Sequence, residues 1–518
     1  MLYAPQRKTK IKNKRVAGWL LCFALVPFLA SCGISSLPGA NSKVQMQSAW
    51  NPTLTPSPTA QPSLVNITVD RSKAVGTSQL TTGLSYADNS LSSTSESMYP
   101  AAVENVKLLI QQGIPLENTP IMSWGVADPW PDPSQPEPTN WDTLDSRLQL
   151  VLDTHGTPII TLCEAPWWMK GQLQANGTTK LLTAADEWTS LGYTSRILDN
   201  KMSAWLHLVQ RVAERYMVPP YNVRYFQVWN EMKGYYNPAT NDYDYTTSPG
   251  DPSGANAKHG YTYMYNQVYA RLRQVATSLS INPDSIKIGG PYTTMNSWSS
   301  RSQAKPSHIS EPFGVLDQRP LDILSYWLQH KTGAGFITFD AFNGNRDRIN
   351  LVDPFGAAEK AADITSWIRS LNDTQYPGAK TLPIWLSEWD ASPYSGPPDK
   401  LFNNAVKAYT MMKFLKAGGS VALEWGGFWD GGTSTGLWTY ISDGGQPDPW
   451  YYSYKAFKDD FPAGTPLYST TVSAPGIVEA LASNKALMLI NKTPTTLTVQ
   501  VNGTIMLLSP YQVHINTV

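Results

Sequence analysis

Short runs of β-branched and aromatic residues alternate with longer segments of helical periodicity between about residues 78 and 460. Such alternation is typical of repeated βα units. The pattern predicts eight strands, at residues 81–86, 118–125, 157–163, 223–230, 286–291, 336–342, 382–389 and 420–426.

Helical periodicity is clearest in three of the segments between these strands. In residues 140–156, Leu144, Leu148 and Val151 recur at helical spacing, and Gly156 ends the run. Residues 201–216 and 403–419 repeat the pattern. Eight strands with intervening helices predict an α/β fold, a (β/α)8 TIM barrel over residues 78–460. A doubly wound open sheet is the alternative, but no glycine-rich phosphate turn follows the first strand.

The pattern changes after residue 460. Residues 461–518 contain short alternating segments separated by turn signals, which predict a small C-terminal β-sandwich. Residues 64–77 begin with a similar strand-like run, so we expect this N-terminal strand to join the sandwich.

The N-terminus has the pattern of an export signal. Six basic residues fall within the first fifteen positions, and an apolar stretch too short to span a bilayer follows them. This stretch ends in the sequence LASC, which resembles a bacterial lipobox. We therefore expect residues 1–31 to be a lipoprotein signal peptide and Cys32 to carry lipid. A plain N-terminal membrane anchor is the alternative.

Residues 32–63 are rich in Ser, Pro and Thr, and such a composition indicates an unfolded tether. The protein is accordingly expected to be exported, as a cell-surface lipoprotein or a secreted protein. A lipid on Cys32 is its only expected membrane contact.

Charge and composition narrow the classes of partner. The 40 basic and 40 acidic residues balance, and loss of the six N-terminal basic residues leaves a net charge of 34 minus 40, or −6, so nucleic acid is not an expected partner. The cysteines and the six histidines show no metal-ligand spacing, and we expect neither a metal nor an organic cofactor. Several of the 19 tryptophans fall in loop-like segments, where their flat rings favour a carbohydrate ligand.

Four predicted strands carry a glutamate at or near the C-terminal end, where barrel enzymes hold their active sites. They are the third, fourth, seventh and eighth strands, with Glu164, Glu231, Glu388 and Glu424. Retaining hydrolysis of a glycosidic bond requires two carboxyl groups about 5–5.5 Å apart. Strands four and seven face each other across an eight-stranded barrel, so Glu231 and Glu388 are the candidate pair. Glu424 fits a structural carboxylate equally well.

The sequence QVWNE at the fourth strand and IWLSEW at the seventh resemble the large clan of retaining (β/α)8 glycoside hydrolases. Within it, the chain looks most like glycoside hydrolase family 39, which contains β-xylosidases and exopolysaccharide hydrolases. The resemblance implies that Glu231 is the general acid/base, that Glu388 is the nucleophile and that Asn230 binds the sugar 2-hydroxyl. Further substrate-binding candidates are Glu164, Trp167, Tyr292, Asp340, Asn343, Trp389 and Trp425.

The chain also departs from family 39. Asp340 and Asn343 stand where its xylosidases usually carry a His-Tyr type segment at strand six, and the loops after strands four and five are long. An endo-acting polysaccharide hydrolase therefore fits as well as a xylosidase. The alternative from another class is an exported sugar-binding lipoprotein without hydrolytic activity.

Overall fold

The computed structural model describes residues 64–86, 90–301, 305–347, 349, 352–390, 399–427 and 436–517. The predicted signal peptide, Cys32 and the tether lie outside the described residues. Within the described ranges, no helix combines the length and the apolar character needed to cross a membrane.

Eight parallel strands close into a barrel, with each strand hydrogen-bonded to its neighbours in chain order. Strand eight completes the ring by pairing with strand one, from Val421 opposite Thr81 to Trp425 opposite Ser85. This closure confirms the predicted TIM barrel and excludes the open sheet. Barrel strands one to eight are Thr81–Ser85, Leu116–Pro120, Thr157–Leu162, Tyr225–Val228, Lys287–Thr294, Phe336–Asp340, Ile384–Trp389 and Val421–Trp425.

Amphipathic helices cover the outside of the barrel. The helix Met202–Tyr216, for example, buries Trp205, Leu208, Val209 and Val212 on the side that faces the core. The α-helices of the described residues are Ser93–Met98, Pro100–Gly113, Asp142–Asp153, Ser190–Tyr193, Met202–Tyr216, Tyr261–Ser278, Gln318–His330, Pro354–Ala357, Lys360–Ser370, Lys400–Lys416 and Pro449–Asp460.

One helix begins earlier than its periodicity predicts. The third predicted helix starts at Lys400 rather than near residue 403. The reason is the side chain of Asp399, which accepts a hydrogen bond from the Leu401 backbone N–H and caps the helix.

A seven-stranded, mostly antiparallel sheet combines the segment before the barrel with the C-terminal residues. Val65–Thr77 pairs antiparallel with Pro466–Val472 and parallel with Leu497–Val501. The left-handed residues Asn502 and Gly503 form the turn between Leu497–Val501 and Thr504–Leu508. The other strands are Val478–Ser483, Ala486–Asn491 and Val513–Thr517.

The two faces of this sheet bury different cores. One face encloses its own hydrophobic cluster, to which strands far apart in the sheet contribute Val65, Leu489 and Val499. From the opposite face, Met488 and Ile490 join the hydrophobic core of the barrel. The predicted β-rich C-terminal domain is therefore one seven-stranded sheet that packs against the barrel.

Insertions follow barrel strands three, four and five at the C-terminal end, whereas the sequence predicts long loops only after strands four and five. Each insertion contains a small sheet of its own, which gives the loop a fixed path. Their strands are Lys170–Leu173, Thr179–Leu181 and Arg196–Ile197 after strand three, Tyr236–Asn237 and Asp242–Tyr243 after strand four, and Ser297–Trp298, Pro306–Glu311 and Gly314–Asp317 after strand five.

Candidate active site

A chain of buried polar side chains connects the first four strands inside the barrel. Asn118 donates to the hydroxyl of Ser85 and accepts a hydrogen bond from Thr161. Gln227 in turn donates to the hydroxyl of Thr161 at 3.1 Å. These bonds fix the strands against one another beneath the C-terminal end of the barrel.

Three carboxyl groups meet at that end. Carboxylate oxygens of Glu231, Asp340 and Glu388 all lie within 4.8 Å of one another. Glu231 follows strand four, Asp340 ends strand six and Glu388 lies near the end of strand seven. The separation of Glu231 and Glu388 is close to the spacing of two carboxyl groups that act together in retaining glycosidases.

Glu231 lies in an unusual backbone conformation. Its φ is 45° and that of Met232 is 57°, so the chain turns sharply in the left-handed region. Thr294 donates a hydrogen bond to one carboxylate oxygen at 2.9 Å, and the ammonium of Lys233 lies 2.5 Å from the other. Burial nevertheless raises the pKa of Glu231, although the Thr294 hydroxyl and the charge of Arg346 lower it.

Glu388 is held by neighbouring polar groups. The hydroxyl of Tyr292 donates to its Oε2 at 3.4 Å. Burial, followed by the charge of Glu231, raises the pKa of Glu388 to about 8, while Lys233 and hydrogen bonds from Tyr292 and Asn230 lower it. Because the two glutamates repel each other when both are ionised, ionisation of one raises the pKa of the other, and they titrate as a pair.

Asp340 is the third carboxyl group and is completely buried. Among the residues that the structure describes, none completes a hydrogen bond to either of its side-chain oxygens. The backbone N–H of Glu388 lies near enough to lower its pKa slightly, but burial and the charges of Glu388 and Glu231 raise that pKa well above its usual value. Burial and the two neighbouring carboxylates therefore favour the protonated form of Asp340.

Lys233 is the residue of this site that the sequence pattern did not predict. Its ammonium contacts Glu231, donates to the Asn230 side-chain oxygen at 2.6 Å and donates to the hydroxyl of Tyr193. Burial lowers the pKa of Lys233 to about 8, against the charges of nearby acids led by Glu388. The lysine follows Glu231 by two positions, but its position depends on the sharp turn between them.

Three aromatic side chains, from the loop after strand two, the insertion after strand three and the end of strand eight, form a wall beside these groups. Trp124 contacts Tyr193 and Trp425 edge to face, with ring centroids 5.3 and 5.4 Å apart. Lys233 lies 5.5 Å from the centroid of the Trp124 ring. All three rings are partly exposed, so the structure places Trp425 where a flat ligand could stack on it.

Glu164 and Trp167 lie in the segment after strand three. Glu164 is buried and forms an ion pair of 2.6 Å with Lys170. Its second oxygen has no hydrogen-bond partner among the described residues. Trp167 is partly exposed, and its backbone N–H donates to Glu187 at 3.3 Å. Cys163, next to Glu164, is a buried free thiol.

Two of the expected substrate-binding residues lie outside the cleft. Trp389 is completely buried and packs edge to face against Trp450 of the outer helix Pro449–Asp460. It follows Glu388 directly, so it points to the opposite side of strand seven. Asn343 is buried and donates to Thr410 of the outer helix Lys400–Lys416. These contacts lie on the side of the outer helices, and a substrate contact of Trp389 or Asn343 stays a prediction.

Glu424 also points away from the carboxyl cluster. It is buried against Lys407, with an ion pair of 2.5 Å, and the same lysine lies 3.1 Å from Asp390. This is the structural carboxylate that the sequence left as an alternative. A separate cavity of about 440 Å³, lined partly by Phe402, Tyr409 and Lys492, contains none of the strand-end glutamates.

No protein-family model and no curated protein matches this sequence. Solved structures do resemble it. A conserved exported protein from Bacteroides fragilis gives a TM-score of 0.53 at 10% identity, over 87% of this chain and 97% of that one. SrfJ from Salmonella typhimurium gives 0.52 at 12% identity, over 87% and 91%.

CelM2, a bifunctional glucanase-xylanase from a metagenome library, gives a TM-score of 0.50 at 13% identity, over 86% of this chain and 94% of that chain. At these identities the likeness shows a shared fold. Fold and site together define a (β/α)8 barrel with two glutamates facing each other from strands four and seven.

Proposed function

We propose that the protein is a retaining glycoside hydrolase that cleaves O-glycosidic bonds of an oligo- or polysaccharide. The observation that carries the proposal is the approach of Glu231 and Glu388 to within 4.8 Å across the C-terminal end of the barrel. The similarity of fold to CelM2, a glucanase-xylanase, supports the same class of reaction.

The proposed reaction has two steps. In the first, the Glu388 carboxylate attacks the anomeric carbon while protonated Glu231 donates its proton to the departing oxygen. In the second, Glu231 removes a proton from water, which attacks the same carbon and releases the sugar from Glu388. One proton shared by the two carboxyl groups provides this division of roles, since one must be neutral while the other is charged.

The surrounding residues are proposed to bind the sugar. Asn230 directly precedes Glu231 and donates towards Glu388, and we assign it to the sugar 2-hydroxyl by its resemblance to the clan. Trp425 and Trp167 offer partly exposed rings, and Glu164 offers a carboxylate oxygen without a partner in the described residues. Tyr292 and Asp340 line the floor next to Glu388.

The sequence motifs look most like family 39, but Asp340 stands at strand six where the xylosidases of that family carry other residues, so the identity of the sugar is not part of the proposal.

We further propose that the enzyme is exported and attached to the membrane by lipid on Cys32. Mass spectrometry of the N-terminus tests this proposal: we expect a chain that begins at Cys32 and carries lipid on that cysteine, whereas a chain that keeps residues 1–31 and carries no lipid would favour the plain N-terminal anchor.

The test replaces Glu388 by Gln and measures hydrolysis of a panel of aryl glycosides and polysaccharides. We expect turnover to fall about 10³-fold or more, because the amide cannot form the glycosyl ester. Glu424→Gln is the matched control, since it makes the same change at the next strand outside the cluster, and it should retain activity.

Two results would contradict the proposal. Undiminished turnover in Glu388→Gln would remove the nucleophile assignment. A parent protein that binds a glycan of the panel without cleaving it would favour the sugar-binding lipoprotein.

A further inference from the structure

Lys233 has a complete set of hydrogen-bond acceptors although it is nearly buried, with 14% of its side chain exposed. An ammonium group carries three N–H donors. The three acceptors are Oε2 of Glu231 at 2.5 Å, Oδ1 of Asn230 at 2.6 Å and the hydroxyl of Tyr193. The ammonium therefore has one defined position, which is unusual for the flexible side chain of a lysine.

This position also fixes the orientation of Asn230. Because Oδ1 of Asn230 accepts from Lys233, the NH₂ group of the same amide is left to face other acceptors. The Asn230 side chain acts as a hydrogen-bond donor to Glu388 and lowers its pKa. Lys233 thus contacts Glu231 directly and is connected to Glu388 by hydrogen bonds through the Asn230 side chain.

Aromatic rings hold the lysine from its other side. Its Nζ lies 3.6 Å from the centroid of the Tyr193 ring and 5.5 Å from that of Trp124. Cations are attracted to the faces of such rings. Tyr193 comes from the insertion after strand three and Trp124 from the loop after strand two, so the folding of both loops places the ammonium.

We propose that Lys233 is a positioning residue that holds Glu231 and Asn230 in place for glycoside hydrolysis. The inference rests on the proposed function of the same site. Thr294 donates a hydrogen bond to one oxygen of Glu231, and Lys233 forms an ion pair with the other oxygen. These two contacts keep the carboxyl group from rotating away from the cleft. The lysine also supplies a positive charge in direct contact with the carboxyl cluster.

Removal of Lys233 should change the proton affinity of the carboxyl groups, and the size of the change depends on every charged or titratable group that faces this lysine. An opposite charge within about 4–6 Å typically shifts a carboxyl pKa by 1–3 units, so loss of the ammonium raises the proton affinity of the cluster. Glu231 and Tyr193 contact Lys233 directly. The charges of Glu388, Glu164, Cys163 and Asp340 also act on it. Tyr292 and Arg346 lie on the far side of Glu231.

The test compares the full-length parent with Lys233→Met and Lys233→Arg. In Lys233→Met we expect kcat/KM to fall at least about tenfold and both limbs of its pH profile to move about one unit to higher pH. Lys233→Arg keeps the charge but not the compact geometry, so we expect a lower kcat with an unmoved profile. Lys407→Met is the control, because it removes a buried paired lysine outside the cleft. It should lower Tm without moving the profile.

A second measurement does not depend on turnover. Infrared absorption of protonated carboxyl groups, recorded against pH without ligand, should show its midpoint about one unit higher in Lys233→Met than in the parent. Lys233→Gln provides the same comparison if the Met variant fails to fold. An unmoved midpoint together with an unmoved profile would overturn the role of Lys233. A moved midpoint in a protein that cleaves no glycan would overturn the proposed function instead.

Discussion

Replacement of Asp340 by Asn tests how the three carboxyl groups share their charge. Two carboxylate oxygens no more than 4.8 Å apart repel by at least about 3 kcal/mol at an effective dielectric constant of about 20, equivalent to at least about two pKa units. If Asp340 is neutral at neutral pH, Asn reproduces its charge. The pH profile of hydrolysis should then move by less than about 0.5 units, against a downward shift of about two units if Asp340 is ionised.

Stability against pH provides a second readout of the same substitution. A raised pKa means that the native state keeps a proton that the unfolded chain releases above the usual value of 3.8. Between that value and the native pKa of Asp340, this group lowers the free energy of unfolding of the parent by about 1.4 kcal/mol for each unit by which the pH rises. The variant Asp340→Asn makes no such contribution, because an amide does not titrate.

Relative to the parent, Asp340→Asn should gain free energy of unfolding by about 1.4 kcal/mol per pH unit as the pH rises above the usual aspartate value, until the pH reaches the raised native pKa, measured by urea denaturation at each pH. Any packing energy that the substitution changes is the same at every pH, so it cancels when the differences at two pH values are compared. A constant difference across the range, together with a two-unit shift of the activity profile, would refute a neutral Asp340.

Three further predictions concern other residues of the barrel. Trp389→Ala should lower the free energy of unfolding by about 3–5 kcal/mol in urea denaturation with KM unchanged, since the ring packs on Trp450 outside the cleft; a raised KM with unchanged stability would contradict this. Trp425→Ala should raise KM severalfold with a smaller loss of kcat, because a partly exposed ring at the cleft binds ground state and transition state alike; unaltered kinetics would place it outside the substrate site. Activity should survive treatment with EDTA, and a loss that Ca²⁺ or Mg²⁺ restores would show that the carboxyl cluster holds a metal.

The architecture was predictable because the spacing of hydrophobic residues shows which side of each strand or helix is buried, without information from the rest of the fold. Each of the eight predicted strands overlaps a barrel strand, although strand two, predicted at residues 118–125, spans Leu116–Pro120. Chain order then sets strands four and seven three positions apart around the barrel. The positions of Glu231 and Glu388 then follow from the ends of those strands.

Glu388 and Trp389 show where alternation along a strand stops being a guide. Trp385 of the same strand packs among residues of the other barrel strands, and strict alternation from it would turn Glu388 outward. The pairing of strand seven is irregular after Leu386, and this irregularity brings Glu388 to the cleft. In strand eight, alternation separates Glu424, which faces Lys407, from Trp425 in the aromatic wall.

Lys233 shows what periodicity cannot provide. Its approach to Glu231 depends on two left-handed residues, Glu231 and Met232, and on Tyr193 from another loop. The isolation of Asp340 from hydrogen-bond donors among the described residues is likewise a property of the assembled barrel, since it depends on what the neighbouring strands place around it.

The most direct test of the central claim is the mass of the peptide that contains Glu388. The full-length protein is incubated with the 2-deoxy-2-fluoro analogue of an activated glycoside that it cleaves, which slows release of the glycosyl-enzyme, and is then digested. We predict one fluoroglycosyl group attached to Glu388 and none in Glu388→Gln. A modified peptide that lacks Glu388, or complete absence of an adduct with a product of inverted configuration, would contradict the retaining mechanism.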